Sequence, residues 1–247
     1  MIEDISNLIF SVFNRIYIIN LPYRKDRKKE MVKSLQKIGL DINDERIVFF
    51  DAIRPTELAG FRTIGAHGCF MSHLEILKDA YNHSYGNILV FEDDLDFSSD
   101  FCNRISQTTT CLSDSDWDIY YGGYTEYDKL PDVPGEHFLD MSTKVQCTHF
   151  IGFSGKVQFK IIEFLHSLLS RPVGDPNGGP MDVDGAYSWF RKKNTGIKTC
   201  MTVPPLGYQR ASMTDVTITK WYDSFWGFRL LSQFIRGLKN LYRNYKS

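Results

Sequence analysis

Residues 87–97 read NILVFEDDLDF, a short apolar run that is followed at once by a cluster of carboxylates. The run from Ile88 to Phe91 predicts a buried strand, with the acids at its carboxyl end. Neighbouring acids about 5 Å apart repel each other by about 3 kcal/mol at an effective dielectric of about 20. Either these acids splay into water, or a cation lies among them.

Around this stretch, apolar runs of strand length alternate with segments of helical periodicity. Strands are predicted at residues 15–21, 47–50, 88–91, 117–123 and 149–153, and helices from about residue 24 to Gly39, over 68–83 and over 157–169. This alternation predicts an α/β fold with one mostly parallel central sheet. Ligands of such sheets bind beyond the carboxyl ends of the strands. Asn20, Asp51 and the acids are therefore expected at one rim.

Composition limits the class of protein. The chain has 247 residues, 43% hydrophobic and 24% charged, which indicates a soluble globular protein. A net charge of -1 gives no overall attraction to nucleic acid. Five irregularly spaced cysteines indicate free thiols in a reducing compartment. Because there is no apolar run of about 18 residues and no basic leader, neither a membrane span nor a cleaved signal peptide is expected, and the predicted location is cytoplasmic.

The acids themselves allow two interpretations. In an extended segment side chains alternate, so Glu92, Asp94 and Asp96 are expected on one side and Asp93 on the other. Mn²⁺ or Mg²⁺ takes oxygen ligands, commonly one or two carboxylates together with substrate phosphates. The alternative is an acidic turn before a helix that is capped around residues 98–100.

Several further motifs occur in a fixed order with the acids. They are NLPYRKDR at 20–27, FDA at 50–52, GAHGCFMSH at 65–73, TH at 148–149, PMD at 180–182, and the stretch from Gln209 through Ser212 to Asp215. The series resembles glycosyltransferase family 25, which includes lipopolysaccharide-type and collagen-type galactosyltransferases. The likeness extends from about Ile16 to Asp215, and the string G-x-x-G-C-x-x-S-H followed by the acids is fairly specific.

The resemblance implies a Rossmann-like domain of the GT-A type over residues 1–219. It also implies a UDP-sugar donor, with galactose favoured and glucose next. The triplet Glu92-Asp93-Asp94 would hold Mn²⁺ or Mg²⁺ on the donor diphosphate. Asp94 is the expected metal ligand, and Glu92 is a second ligand or a support for the metal or donor. Asp93 is expected to contact the transferred sugar or to orient the turn.

Further donor contacts are expected from Asn20, Arg24, Arg27, Asp51, Ser72 and His73. Arginine presents a fork of donors that suits phosphate or a base edge, although a solvated helix start is the alternative here. Asp51 is expected at uridine or ribose hydroxyls. The resemblance puts Ser72 and His73 on the donor side, and a satisfied core histidine is the alternative for His73.

Cys69 and His73 are four residues apart and raise the question of a zinc site. A closed zinc site usually takes four ligands, and no second Cys/His pair with suitable spacing exists in the sequence. A zinc site is therefore not expected.

On the acceptor side, the resemblance points to Asp182. Family 25 enzymes are expected to invert the anomeric centre, which requires in-line attack by an acceptor hydroxyl and a base about 3 Å away. Asp182, rather than the nearby Asp184, is the predicted base, and the alternative is that it only holds acceptor hydroxyls. Donor or acceptor contacts are expected from His149, Gln209 and Ser212. The Gly- and Pro-rich segment 170–180 predicts a mobile lid or acceptor-side wall.

Residues 220–247 form a separate basic and aromatic tail. On a helical wheel its cations and apolar residues fall on opposite sides, after Trp221, Phe225 and Trp226. A basic amphipathic helix suits an anionic membrane surface, and a terminal helix docked on the domain is the alternative.

The sequence thus predicts a metal-dependent hexosyltransferase that acts on a saccharide or hydroxyl acceptor in surface glycan synthesis. It would be cytoplasmic or peripheral on the inner face of a membrane. The alternatives are a catalytically silent relative that binds a saccharide or a protein, and a metal-dependent phosphohydrolase.

Overall fold

The computed structural model describes residues 4–125 and 133–210. The helices are α1 (Ile5–Val12), α2 (Lys25–Lys37), α3 (Ile64–Asn82), α4 (Phe101–Asp114), α5 (Gly155–Leu169) and α6 (Val183–Lys193). The strands are β1 (Arg15–Asn20), β2 (Ile47–Asp51), β3 (Ile88–Glu92), β4 (Leu95–Phe97), β5 (Ile119–Gly123), β6 (Gly135–Leu139), β7 (Phe150–Phe153), β8 (Thr199–Val203) and β9 (Gly207–Gln209).

Within the described residues the strands form one sheet, in which β2-β1-β3-β7-β5-β8-β6 are neighbours in that order. Strand β1 is parallel to β2 and β3, and β5 is parallel to β8. Strands β7 and β6 run in the opposite direction, and β4 pairs with β9 beside the main row. The predicted α/β class with a mostly parallel central sheet is confirmed.

Strand β1 is buried on both faces, because helices cover the sheet from both sides. Its alternate residues Tyr17 and Ile19 pack in one apolar cluster with α3, α5 and α6. Ile16 and Ile18 point the other way, into a second cluster with α1, α2 and α4. Neither face is left for solvent, which explains why this strand reads as a continuous apolar run.

Helix boundaries follow local capping chemistry. Gly39 has φ +85° directly after the end of α2, as its predicted C′ position requires. Helix α3 begins at Ile64, four residues before the predicted start at Gly68. The Thr63 side chain accepts a hydrogen bond from the Ala66 N–H at 3.0 Å, and this N-cap fixes the earlier start.

Ser212, Asp215 and the tail 220–247 lie outside the described residues, so the predictions made for them stay predictions. Among the helices of residues 4–125 and 133–210, none combines the length and the apolar character that crossing a membrane requires.

Helix α3 packs so closely on the segment after β2 that a side chain at Gly68 has no room. A Cβ atom there would lie 2.4 Å from the Ile53 carbonyl oxygen, whereas at Gly185 in α6 it would approach nothing nearer than Met181 Sδ at 3.8 Å. We expect Gly68→Ala to lower the free energy of unfolding by about 1–3 kcal/mol through overpacking. Gly185→Ala should raise it by about 0.5–1 kcal/mol, because a helical glycine is entropically costly.

Urea denaturation of the two variants and the parent chain measures both changes. Equal effects of the two substitutions would contradict the close contact at Gly68.

Candidate functional site

The carboxyl ends of three parallel strands meet at one rim of the sheet. Asn20 lies beside Asp51 in the pairing of β1 with β2, and Ile19 lies beside Glu92 in the pairing of β1 with β3. The predicted meeting of Asn20, Asp51 and the acids at this rim is confirmed.

The acids do not continue the strand. Glu92 is the last residue of β3, Asp93 and Asp94 form a turn, and Asp96 lies in β4. The Asp93 N–H donates to the Ile19 carbonyl at 3.2 Å, and the Arg210 N–H donates to the Asp94 carbonyl at 2.7 Å. The expected alternation across residues 92–96 is wrong because these bonds fold the chain into the turn.

Asp96 consequently serves a different contact from the other acids. Its carboxylate accepts from the Arg210 guanidinium, with Nε 3.1 Å from Oδ2. It therefore braces the pairing of β4 with β9 and does not join the group at the turn.

A buried ion pair neutralises the first acid of the turn. Arg27 Nη1 lies 2.8 Å from Asp93 Oδ1 and 3.3 Å from Asp94 Oδ2, and Arg27 and Asp93 are only 8% and 6% exposed. Asn20 Nδ2 donates to Asp93 Oδ2 at 2.7 Å. Two of the predicted donor-binding residues, Asn20 and Arg27, thus hold the turn itself.

Asp94 keeps one carboxylate oxygen without a partner. Its Oδ1 is buried and accepts no hydrogen bond from the described residues, while its Oδ2 lies 3.5 Å from Gln209 Nε2. Burial raises the pKa of Asp94 to about 6, against the effect of the nearby Arg27 guanidinium, which lowers it. The unpartnered oxygen is chemically suited to a hard cation.

The pKa of Glu92 is raised further than that of Asp94. Glu92 Oε1 accepts a hydrogen bond from Thr148 Oγ1 at 2.9 Å. Burial, followed by the charge of Asp94, raises the pKa of Glu92 to about 8. Two neighbouring carboxyl groups with raised pKa values are costly to ionise together unless a cation compensates them.

A cavity of about 870 Å³, part of it open to solvent, lies over this turn. We call it the rim cavity. Its polar floor consists of Arg27, Glu92, Asp93, Asp94 and Gln209. Its walls include the apolar side chains of Ile19, Leu21, Ile53 and Ile64. Strand β9 brings Gln209 there by pairing with β4. The sequence predicted a site role for Gln209 only through the family resemblance and did not predict this strand.

Tyr23 and Arg54 also line the rim cavity, and the sequence analysis missed both as site residues. The Arg54 guanidinium lies 5.3 Å from the centre of the Tyr23 ring, and Tyr23 is 51% exposed. Each lies within a few residues of a strand end, and that position is the signal that identifies them. A partly exposed aromatic ring beside a cation offers a flat surface for another ring.

Ser72 lines the rim cavity, but its hydroxyl is already engaged. It donates to the Gly68 carbonyl at 2.7 Å and accepts from the Ile53 N–H at 2.9 Å. Ser72 therefore joins α3 to the segment after β2.

His73 lies behind the wall of the rim cavity and is 0% exposed. Its Nδ1 is 3.1 Å from the Tyr187 hydroxyl, and burial lowers its pKa to about 3. It also approaches Cys69 and Glu92: one donor atom from each of these three residues lies within 4.8 Å of the others.

The remaining predicted donor or acceptor contacts lie around this core. Arg24 precedes α2 and pairs with Asp26 at 2.9 Å. Asp51 is exposed at the end of β2, next to Ala52, which lines the rim cavity. His149 is buried before β7, with Nε2 3.3 Å from the Gly207 carbonyl oxygen.

Asp182 lies in a second cavity, which we call the α6 cavity. It is open to solvent, includes about 1560 Å³, and is lined by Arg62, Lys144, Asp182, Asp184, Trp189 and Lys193 among others. Asp182 is the N-cap residue of α6, and its Oδ2 lies 2.9 Å from Arg62 Nη2. Asp184 Oδ2 accepts from the Cys147 N–H at 3.2 Å.

Carboxylates of the α6 cavity influence the pKa of Cys69 in the rim cavity. Burial raises the pKa of Cys69, and the charges of Glu92, Asp184 and Asp182 raise it further. Since Cys69 lines the rim cavity and both aspartates line the α6 cavity, the charged groups of one cavity act on the other.

Known proteins share parts of this chain. It is 29% identical over 129 residues to procollagen galactosyltransferase 1-A of Xenopus laevis, a match that covers 45% of this chain and 21% of that protein. It is 31% identical over 130 residues to a glycosyltransferase 25 family member of Aedes aegypti, covering 44% and 21%. It is 30% identical over 129 residues to the human inactive glycosyltransferase 25 family member 3, covering 45% and 22%. The matches thus span about a fifth of these relatives.

Among solved structures, a glycosyltransferase involved in the glycosylation of the major capsid of PBCV-1 is similar, with a TM-score of 0.49 and 13% identity over 81% of this chain and 95% of that chain. Residues 13–163 match Glycosyltransferase family 25 (LPS biosynthesis protein). This range includes strands β1 to β7, the turn and most of the rim cavity described above, and it covers more than half of the sequence. The chain belongs to glycosyltransferase family 25.

Proposed function

We propose that the chain is a metal-dependent inverting hexosyltransferase that uses a UDP-sugar donor. Galactose is the favoured sugar and glucose the next, and the acceptor is a hydroxyl group of a saccharide in surface glycan synthesis. Glycosyl transfer is the activity that membership of the family supports. The observation that carries the proposal is the buried, unpartnered Asp94 Oδ1 in the floor of the rim cavity.

Asp94 and Glu92 are the residues that would hold Mn²⁺ or Mg²⁺. The fit rests on their chemistry: Asp94 offers a free buried oxygen, and both carboxyl groups have pKa values raised by burial, so a cation relieves a cost already present. When bound, a divalent ion supplies positive charge that stabilises the departing diphosphate. Asp93 remains tied to Arg27 and Asn20 and keeps the turn in position.

The chain's own residues would bind the rest of the donor. Arg27 lies at the turn, where its guanidinium can also face a phosphate oxygen. Tyr23 and Arg54 at the opening suit the flat uracil ring, and Asp51 and Arg24 lie close by on the same rim. The apolar walls limit access of water to the sugar, which disfavours hydrolysis of the donor.

The acceptor would enter through the α6 cavity. There the Asp182 carboxylate is held by Arg62, and the same cavity is lined by Trp189, whose ring suits the apolar face of a sugar. In the proposed step, Asp182 takes the proton of the acceptor hydroxyl. The hydroxyl oxygen bonds to the anomeric carbon, and the bond from that carbon to the diphosphate oxygen breaks. The competing role for Asp182 is to hold acceptor hydroxyls without taking the proton.

The second candidate function is a catalytically silent member that binds a saccharide or a protein. It is favoured by one observation, the existence of relatives named inactive, such as the human family member 3. A copy that has lost the metal has no use for two adjacent carboxyl groups with raised pKa values, so the floor of the rim cavity favours the active enzyme. We also propose that the tail 220–247 of this transferase makes peripheral contact with an anionic membrane.

The first test concerns Asp94. With Mn²⁺ and a panel of UDP-sugars, Asp94→Asn should lower UDP release by about 100-fold or more, because the carboxylate that would hold the cation at the leaving diphosphate is lost. Asp96→Asn is the matched control and should stay within a few-fold of the parent, since Asp96 pairs with Arg210.

UDP release is measured with and without saccharide acceptors. Full activity of Asp94→Asn would refute the proposed metal ligand. A parent chain that binds no nucleotide sugar would favour the silent relative, and release of inorganic phosphate instead of UDP would favour a phosphohydrolase.

The second test separates the two roles of Asp182. If Asp182 is the base, Asp182→Asn should lower kcat by about 100- to 10,000-fold with little change in the KM for the donor. The neighbouring variant Asp184→Asn is the comparison, because Asp184 lines the same cavity but bonds to the Cys147 N–H. An effect of Asp182→Asn confined to the KM for the acceptor would assign it the holding role.

The third test is the pH dependence of stability without metal. Burial raises the pKa of Glu92 from 4.5 to about 8 and that of Asp94 from 3.8 to about 6. A group with a raised folded pKa contributes stability that is complete below its unfolded pKa and is lost as the pH rises through the folded value. The free energy of unfolding in a chelator should therefore fall between about pH 4.5 and 8.

Urea titrations across this range measure the slope. Glu92→Gln should remove most of it, whereas Glu163→Gln, on the exposed side of α5, should keep it. An unchanged slope in Glu92→Gln would contradict the assignment.

A further inference from the structure

Cys69, His73 and Glu92 form a compact group of three different donor atoms. The Cys69 sulfur, one His73 ring nitrogen and one Glu92 carboxylate oxygen all lie within 4.8 Å of one another. Bonds of about 2.0–2.3 Å to zinc put such donors about 3.5 Å apart, so only small side-chain adjustments are needed. Cys69 and His73 are one helical turn apart in α3, and Glu92 ends β3, so all three come from rigid elements.

The outer contacts of these donors are those of a metal site. His73 Nδ1 is occupied by the Tyr187 hydroxyl at 3.1 Å, while His73 Nε2 is buried and has no hydrogen-bond partner among the described residues. Histidine ligands commonly bond an oxygen through the ring nitrogen that does not bind the metal. Glu92 Oε1 is likewise oriented by Thr148 at 2.9 Å. A fully buried ring nitrogen without a partner is costly, and a cation would satisfy it.

We propose that Cys69, His73 Nε2 and Glu92 bind a zinc-type divalent ion, with the fourth coordination position open to the rim cavity. Thiolate and imidazole ligands favour zinc over the harder Mn²⁺ and Mg²⁺. Three protein ligands with one open position form a complete site of the open type. Cys69 and Glu92 both line the rim cavity, which supplies the entry path.

This site shares Glu92 with the proposed Mn²⁺ or Mg²⁺ site, but it does not depend on the proposed transferase activity. Asp94 offers oxygen alone, whereas the new site has sulfur, nitrogen and oxygen. When the zinc-type ion is bound, Glu92 is one of its ligands, and Asp94 remains for a hard cation. The expectation from sequence spacing, that no zinc site exists, omitted Glu92 because it considered only cysteine and histidine as ligands.

Cobalt(II) titration of the metal-free chain tests the site without any enzyme assay. Cobalt bound by a thiolate gives a sulfur-to-metal charge-transfer absorption in the near ultraviolet, and one equivalent should produce it. The band should be absent in Cys69→Ser, and Tyr187→Phe should weaken cobalt binding about 10-fold through loss of the outer contact. Added Zn²⁺ should bleach the band.

Two control variants should keep the band: Cys147→Ser, which removes another half-buried thiol, and Asp94→Asn, which removes the turn carboxylate. Circular dichroism and urea unfolding establish that each variant is folded. Absence of the band in the parent chain would overturn the proposal, because the cluster would then hold only water. A band that survives Cys69→Ser, or one that disappears in Asp94→Asn, would also overturn it. A band in a chain that releases no UDP would leave this site intact and refute only the transferase proposal.

Discussion

The ion pair between Arg27 and Asp93 is the contact on which the rim depends. Both groups are buried, and a buried carboxylate without its partner would be strongly destabilising. The same guanidinium lies 3.3 Å from Asp94, so one cation on α2 partly compensates two acids. Glu92 remains outside this arrangement and meets Thr148, a neutral donor. The fold therefore reduces the excess of negative charge at the end of β3 but does not remove it.

Strand order explains how residues distant in sequence converge on this point. The parallel strands β1, β2 and β3 deliver Asn20, Asp51 and Glu92 because they end at the same rim. Strand β7 then inserts antiparallel beside β3, which brings Thr148 to Glu92 across 56 residues. Strand β9 pairs with β4 and brings Gln209 to Asp94 across 115 residues. The site is thus assembled by the pairings of β3 with β1 and β7, together with the pairing of β4 with β9.

The part of this arrangement that could be predicted is the part governed by local patterns. An apolar run followed by polar residues specifies β1 and β3, and the rule for parallel strand ends puts Asn20 and the acids after β3 at one rim. The turn depends on a hydrogen bond from the Asp93 N–H to the Ile19 carbonyl and on one from the Arg210 N–H to the Asp94 carbonyl, which no local periodicity encodes.

Side-chain contacts between residues distant in sequence could not be predicted for the same reason. The contact of His73 with Tyr187 spans 114 residues and requires α6, a helix that the sequence analysis did not predict. The approach of Glu92 to Cys69 and His73 likewise follows from packing α3 on the sheet. Sequence patterns therefore identified most of the reactive side chains but assigned few of their neighbours.

Glu92 is the residue where two kinds of donor meet. On one side Asp93 and Asp94 are acids, whose mutual repulsion requires a cation or Arg27. On the other side the Cys69 thiol and the neutral His73 ring do not repel a carboxyl group, so their approach costs little in an empty site. Only the turn therefore needs a built-in compensating charge, and that is where the fold supplies Arg27. The α3 side needs none, because its donors acquire charge only as a metal displaces the thiol proton.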